Sequence, residues 1–226
     1  MKKAFAVIFF LGFATTSGFA QNDTPVVDPT PTTTIFIART GVRTDSPHVG
    51  TYHDTELFQL RGNWIYPDVG YVDFANNNYR EIYVGAGRTL FHSDRATIAT
   101  ELYFDQATGP DAHSARYFQV WTLVDFNLTS KVSTETVYFP YIPLNQSARV
   151  QHVIERAKIE YHLGKNWKVG GGYAAYQYGE GDWQNKPMLT VTRSTKSLGS
   201  LETWLQKMPG GAQVQLRYTF VHTAHR

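Results

Sequence analysis

Between Thr34 and Val221 the sequence changes character every other residue and keeps no helical period over any length. The last such segment, Gln213 to Phe220 (QVQLRYTF), sets Val214, Leu216, Tyr218 and Phe220 against Gln213, Gln215, Arg217 and Thr219. A period of two is that of a β-strand, whose successive side chains point to opposite faces. The two faces must therefore meet different surroundings. In a soluble sandwich these are core and water; in a membrane barrel they are lipid and a polar lumen.

The same reading predicts strands at Thr34–Arg43, Leu57–Tyr66, Val69–Ala75, Arg80–Phe91, Arg95–Asp105, Ala115–Leu128, Lys131–Tyr141, Arg149–Leu163, Trp167–Tyr178, Met188–Thr195, Ser200–Lys207 and Ala212–Val221. These amount to about twelve, an even number, with ends uncertain by a few residues. Their connections alternate in length along most of the chain. TDSPHVGTYHDTE (44–56), QATGPDAH (106–113), IPLNQSA (142–148) and GEGDWQNKP (179–187) are long, whereas PD, HSD, TS, GKN and KSLG are short. A sandwich has no physical reason for such parity, because both its ends face water. A membrane barrel does, with tight turns at one end and longer loops at the other. The fold class predicted is therefore all-β: a closed antiparallel transmembrane β-barrel of about twelve strands over 35–221.

The first residues agree with an exported chain. MKKAFAVIFFLGFATTSGFA carries Lys2 and Lys3, an apolar run and small residues before Gln21, the layout of a cleaved signal peptide over 1–20. Residues 21–34, rich in Pro and Thr, read as a flexible leader, and 222–226 as a short tail. Beyond the signal, no apolar run approaches the roughly 20 residues of a membrane helix, so any membrane crossing is by strands. The chain has no Cys, which leaves closure of the sheet rather than disulfides to hold the fold. A net charge of +2 with both signs interspersed gives no basic block, so nucleic acid is not a predicted partner.

The stretch at 213–220 resembles the C-terminal assembly signal of bacterial outer-membrane proteins: a polar residue, Gly two later, then apolar or aromatic residues at alternate positions to the end. Gln213, Tyr218 and Phe220 fill their places, Gln215 stands where Gly is usual, and VHTAHR follows Phe220. In length and layout the chain is similar to the small porins of about twelve strands. The resemblance implies outer-membrane lipid and the outer-membrane insertion machinery as partners, and a narrow pore for small polar solutes. Two other readings stay open: a structural or adhesive barrel whose external loops bind a partner, and a secreted soluble sandwich or lipocalin-like binder.

On this topology Phe118, Val120, Val124, Phe126, Leu216 and Phe220 face lipid. Arg61, Arg95, Glu101, Asp105, Tyr117, Gln119, Arg156, Lys158, Glu160 and Arg217 line the lumen, with Arg39, Asp125, Glu202, Tyr103 and Trp121 beside them. Such charges either pair across the lumen and fill it or form opposed walls with a transverse field. Glu155 breaks the pattern of its strand, sharing parity with Ala157, Ile159 and Tyr161.

No enzyme, metal site or cofactor is predicted. His92-Ser93 and His113-Ser114 are adjacent, so their side chains diverge on an extended backbone. Barrel-embedded phospholipases and lipid A deacylases carry His and Ser two apart. The His residues are scattered and no HExxH occurs. Asp54 with Glu56, and Glu180 with Asp182, offer a loose hold for a surface cation but read first as solvated loop charge. Gly170-Gly171-Gly172 lacks the spacing of a nucleotide loop and reads as a place for barrel curvature or ring packing.

Overall fold

The computed structural model describes residues 32–44, 50–61, 65–74, 78–110, 112, 114–145, 147–195, 199–208 and 210–224. The predicted signal, most of the leader and the end of the tail lie outside them. The described chain forms β1 (Thr32–Arg43), β2 (Gly50–Arg61), β3 (Tyr66–Phe74), β4 (Tyr79–His92), β5 (Ala96–Thr108), β6 (Arg116–Thr129), β7 (Val132–Pro143), β8 (Gln151–Leu163), β9 (Trp167–Tyr178), β10 (Gln184–Thr195), β11 (Gly199–Met208) and β12 (Gly211–Ala224). Each strand pairs antiparallel with its chain neighbours. β1 closes on β12 in a register running from Thr32 opposite Ala224 to Arg43 opposite Gln213, so no edge is left unpaired. Among the described residues there is no helix, and none long and apolar enough to cross a membrane.

The burial pattern is that of a protein turned inside out. The large apolar side chains Val84, Leu90, Leu189 and Leu205 are exposed on the outer surface, Leu189 to 64%. Arg39, Asp68, Asp105, Lys158 and Glu202 are buried inside, Asp105 completely. An apolar surface of this extent cannot face water on a monomer and suits acyl chains. At the end that carries both termini, Arg193 lies over the Trp167 ring at 5.4 Å, an amphipathic pair of the kind that sits at a lipid–water boundary.

Several strand ends depart from the sequence reading: β10 starts at Gln184 rather than Met188, within the expected loop 179–187, β12 runs on to Ala224 into the expected tail, and two departures concern β2 and β3. Leu57–Tyr66 is replaced by Gly50–Arg61, so much of the expected long first loop is strand. Thr55 faces out while Asp54 and Glu56 face in, and this polar character on both faces hides the alternation. Pro67-Asp68, read as a turn, lies within β3: Pro67 is exposed outside and Asp68 is buried inside. A proline near the start of a strand on its outer face leaves most of the ladder intact. Remaining connections keep the expected asymmetry, with 109–115, 144–150 and 179–183 at one end against 93–95, 130–131 and 164–166 at the other.

Candidate functional site

The interior divides into two walls. On β1, β7, β8, β11 and β12, cations and carboxylates form one connected network. Arg39 pairs with Asp54 at 2.6 Å on the neighbouring strand and with Glu155 on β8 across the barrel. Arg156 bonds both Glu155 and Glu135. Lys158 reaches Glu135 at 3.1 Å, Glu160 at 3.3 Å, and Glu202 on β11. Arg217 lies 3.5 Å from Glu202 and 3.7 Å from Glu135 on β7. Because β1 and β12 lie far around the sheet from β7 and β8, these contacts cross the lumen.

A β-bulge makes the crossing possible. The pairing of β8 shifts by one residue between Ile154 and Ala157 against β9, and between Ile154 and Arg156 against β7. One extra residue reverses the side-chain phase of the strand. Glu155 and Arg156 therefore both enter the network, although adjacent residues of a regular strand face opposite ways. This explains why Glu155 broke the parity of its strand. Beyond the bulge, Ile159, Tyr161 and Leu163 are exposed outside while Lys158 and Glu160 are buried inside.

Across from this network, β2 to β6 carry Glu56, Asp68, Glu81, Glu101 and Asp105, and their described donors are neutral. The Tyr66 hydroxyl donates to Glu101 at 2.7 Å. Tyr103 lies 2.6 Å from Asp68 and 2.8 Å from Glu101. Glu81 accepts from Tyr79 at 2.8 Å, Tyr141 at 3.1 Å and the Gln119 amide at 3.2 Å, and the same amide lies 2.6 Å from Asp105. Glycines on this wall make room for the rings: a Cβ on Gly87 would fall 2.4 Å from the Tyr66 ring, and one on Gly70 2.0 Å from that of Tyr83. On the opposite side, Gly170 and Gly172 instead admit the backbone of β8, since Cβ atoms there would lie 2.1 Å from the Ile159 carbonyl and 2.0 Å from that of Ala157.

Two cavities flank the ion-pair layer. At the loop end, a cavity of about 480 Å³ is walled by Arg39, Glu155, Tyr117, Trp121, Phe139 and Tyr141, among others. Trp121 and Phe139 stack at 4.0 Å, and Tyr117 meets Tyr141 edge-on at 5.3 Å. At the end holding the termini, a cavity of about 410 Å³ is walled by Arg95, Asp125, Glu135, Glu160 and Lys168 with residues of the 93–95 turn. Arg156, bonded to Glu155 on one side and Glu135 on the other, stands between them.

The predicted interior residues distribute over these features. Arg156, Lys158, Glu160 and Arg217 belong to the ion-pair network, and Glu160 also accepts from Thr190 and Thr192 at 3.2 and 3.0 Å. Glu101, Asp105, Tyr117 and Gln119 lie on the neutral-donor wall, where Gln119 also accepts from the Trp121 indole at 2.6 Å. Arg95 precedes β5 and is exposed in the 93–95 turn, which Ser93 caps through the Arg95 and Ala96 amides, and from there it walls the cavity at the end holding the termini. The Arg61 side chain lies outside the described residues. Phe126 and Leu216 are exposed on the outer face, and Phe118, Val120, Val124 and Phe220 are half-buried on it.

Sequence reasoning missed Asp54, Glu56, Asp68, Glu81 and Glu135 as interior groups. Asp54 and Glu56 are buried, not solvated loop charge, because β2 begins before them. Ser133 and His162, on adjacent strands, form the Ser–His contact that no sequence spacing shows, at 2.9 Å. Among the described residues, no side chain bonds the second ring nitrogen of His162, so the pair lacks the orienting group of an acyl-transfer site. Glu56, Asp68 and Glu101 each bring one oxygen within 4.8 Å of the others, the grouping best placed to hold a metal ion.

No family model matches the sequence, and no curated protein matches it. Solved structures do match the fold. The KdgM porin in complex with disordered oligogalacturonate superposes with a TM-score of 0.58 at 14% identity, over 84% of this chain and 99% of that one. The NanC porin gives 0.55 at 8% identity, over 84% and 99%. An outer membrane channel from Pseudomonas putida F1 gives 0.55 at 10% identity, over 89% and 100%. The chain thus has the fold of outer-membrane β-barrels of about twelve strands.

Proposed function

We propose that the chain is exported on its N-terminal signal, inserted into the bacterial outer membrane by the insertion machinery, and acts there as a narrow channel for small polar solutes. The observation that carries the reading is the pair of polar cavities at opposite ends of the barrel, with a layer of side chains rather than backbone between them. Side chains move on fast timescales, so a layer built from them narrows a passage without sealing it as a folded plug would. The four cations Arg39, Arg156, Lys158 and Arg217 lie on the arc that runs from β7 through β12 to β1, whereas the buried charged groups described on β2 to β5 are carboxylates, which sets a field across the passage. A solute with a dipole aligns with such a field. Each of the four cations is already engaged by carboxylates, so a polyanion finds no free positive track, and the reading is for small dipolar solutes rather than long acidic chains.

With both termini in the periplasm, the longer connections 109–115, 144–150 and 179–183 face outward from the cell, and the stacked aromatic cavity is the outer vestibule. β12 then presents Leu216, Tyr218 and Phe220 to lipid and to the insertion machinery. Planar-bilayer recording tests the channel. Small, discrete conductance steps support it; a well-inserted protein that is silent in the wild type and in Arg39→Ala contradicts it. The density of the network favours one alternative, a structural barrel whose lumen is filled, and that silent outcome is the one it predicts.

A further inference from the structure

Every carboxylate of the ion-pair network pairs with a cation, whereas, among the described residues, the acids Glu56, Asp68, Glu81, Glu101 and Asp105 of the opposite wall do not, and three of these come together. Glu56 on β2, Asp68 on β3 and Glu101 on β5 are buried to 6, 2 and 9% exposure, with one oxygen of each within 4.8 Å of the other two. Among the described residues no Lys or Arg forms an ion pair with any of them, and Arg39 and Arg217 are held by Asp54, Glu155, Glu135 and Glu202. Three carboxylates this close repel one another strongly in a site shielded from water.

A second, separate observation points to what is missing. Asp68 Oδ1 is fully shielded from solvent and has no hydrogen-bond partner. Its companion Oδ2 is taken by the Tyr103 hydroxyl at 2.6 Å. Tyr103 has one proton for Asp68 and for Glu101, 2.8 Å away, and Tyr66 supplies the other donor, to Glu101. A buried carboxylate oxygen with no donor is costly unless something positive sits beside it. The wall also has room for the two phenols: they reach these acids across β4, where Gly87 and Gly85 carry no side chain, and a Cβ on either would fall within 2.4 or 2.6 Å of the Tyr66 or Tyr103 ring.

We propose that Glu56, Asp68 and Glu101 bind one Ca²⁺ ion from the lumen side. All donors are oxygens, which select a hard cation over zinc or copper. Oxygens within 4.8 Å of one another can share one ion at the Ca–O distance of about 2.3–2.6 Å, and Ca²⁺ accepts an irregular carboxylate shell, whereas Mg²⁺ demands near-ideal octahedral geometry and gives up its water reluctantly. Water that enters with the ion completes the shell. The ion would tie β2, β3 and β5 together and remove negative charge from that wall. The inference rests on the carboxylate geometry alone and stands whether or not the barrel conducts.

Terbium luminescence reads the site directly, because Tyr66 and Tyr103 contact the acids and Tyr103 lies 5.6 Å from the Trp121 ring, so excitation of these rings sensitises a bound Tb³⁺. The mature chain is refolded in detergent, cleared of metal and titrated with TbCl₃, then with CaCl₂ and MgCl₂. One equivalent of Tb³⁺ is expected, displaced by Ca²⁺ at concentrations about tenfold or more below those of Mg²⁺. Asp68→Asn and Glu101→Gln should each weaken binding by about tenfold or more, while Glu180→Gln in the exposed 179–183 connection leaves it unchanged. A folded barrel is identified by its heat-modifiable mobility. If the variants do not fold, infrared spectra of the wild type decide: Ca²⁺ must shift the carboxylate stretches and abolish any protonated carboxyl band. Absence of sensitised luminescence, binding untouched by both substitutions in folded protein, or a protonated carboxyl band that persists in saturating CaCl₂ would each overturn the proposal.

Discussion

Along β7, β8, β11, β12 and β1 the buried carboxylates meet guanidinium and ammonium groups, whereas along β2 to β6, apart from Asp54 beside Arg39, they meet phenols and a side-chain amide. The chemistry of the partner decides the geometry of each wall. Arg and Lys carry their charge on long stems, so Arg39 and Arg217 span the lumen to Glu155 and Glu135. A phenol ring reaches only over nearby strands, as Tyr66 on β3 does to Glu101 on β5 and Tyr103 on β5 to Asp68 on β3. The first wall narrows the passage and cancels its own charge. The second leaves the passage open and keeps negative charge that side-chain cations do not answer.

The glycines break the comparison most severely. At Gly170 an added methyl meets the Ile159 carbonyl, which cannot move without displacing β8, so Gly170→Ala should yield little or no heat-modifiable barrel. At Gly70 the obstacle is the end of the Tyr83 side chain, which can swing into the lumen. Gly70→Ala should therefore fold, with a loss of about 1–3 kcal/mol in urea titrations in lipid vesicles. Equal folding of the two variants would remove the distinction between a wall that admits backbone and a wall that admits rings.

Removing a carboxylate comes next in size. Glu135 faces Arg156, Lys158 and Arg217, so Glu135→Ala strands several buried cations and should cost about 3–5 kcal/mol. Glu81 faces only neutral donors, and Glu81→Gln should cost about 1 kcal/mol. The same urea titration measures both, and a larger loss at Glu81 would invert the comparison. Arg39→Ala, which breaks the cross-lumen contact with Glu155, should raise single-channel conductance, whereas Tyr103→Phe, a change along the wall, should leave it near wild type. The smallest expected energy is the coupling between Arg39→Ala and Glu155→Ala, about 0.5 kcal/mol in a double-mutant cycle, because the attraction is largely offset by the desolvation each charge already bears.

How much of this was legible in the sequence follows the same divide. Strand number, closure and the outward placement of Phe126 and Leu216 follow from a period of two, a local property of each segment. β9 was predicted with its observed ends because Trp167 and Tyr178 bracket it between glycine-containing turns. The start of β2 is not legible, because Thr55 is polar on the outside and Asp54 and Glu56 are charged on the inside, so no apolar face marks the strand. Asp68 was hidden by the turn preference of the dipeptide Pro67-Asp68, which the register with β4 overrides. The bulge at Glu155 inserts a single residue, and phase reversal of that kind leaves only one misplaced charge as its trace. Contacts between β1 and β8, or among β2, β3 and β5, depend on shear around the barrel, which no single strand encodes.

The central claim is the inversion itself, with apolar side chains turned to lipid and polar ones enclosed. The chain has no native cysteine, so single cysteines can be placed freely and labelled with a small fluorophore. Probes at Val84, Leu189 and Leu205 on the outer face should be quenched by brominated lipids, and probes at Ala174 and Gln215 on the wall of the loop-end cavity should instead be quenched by aqueous iodide. The opposite pattern, or quenching by iodide at every site, would contradict the account.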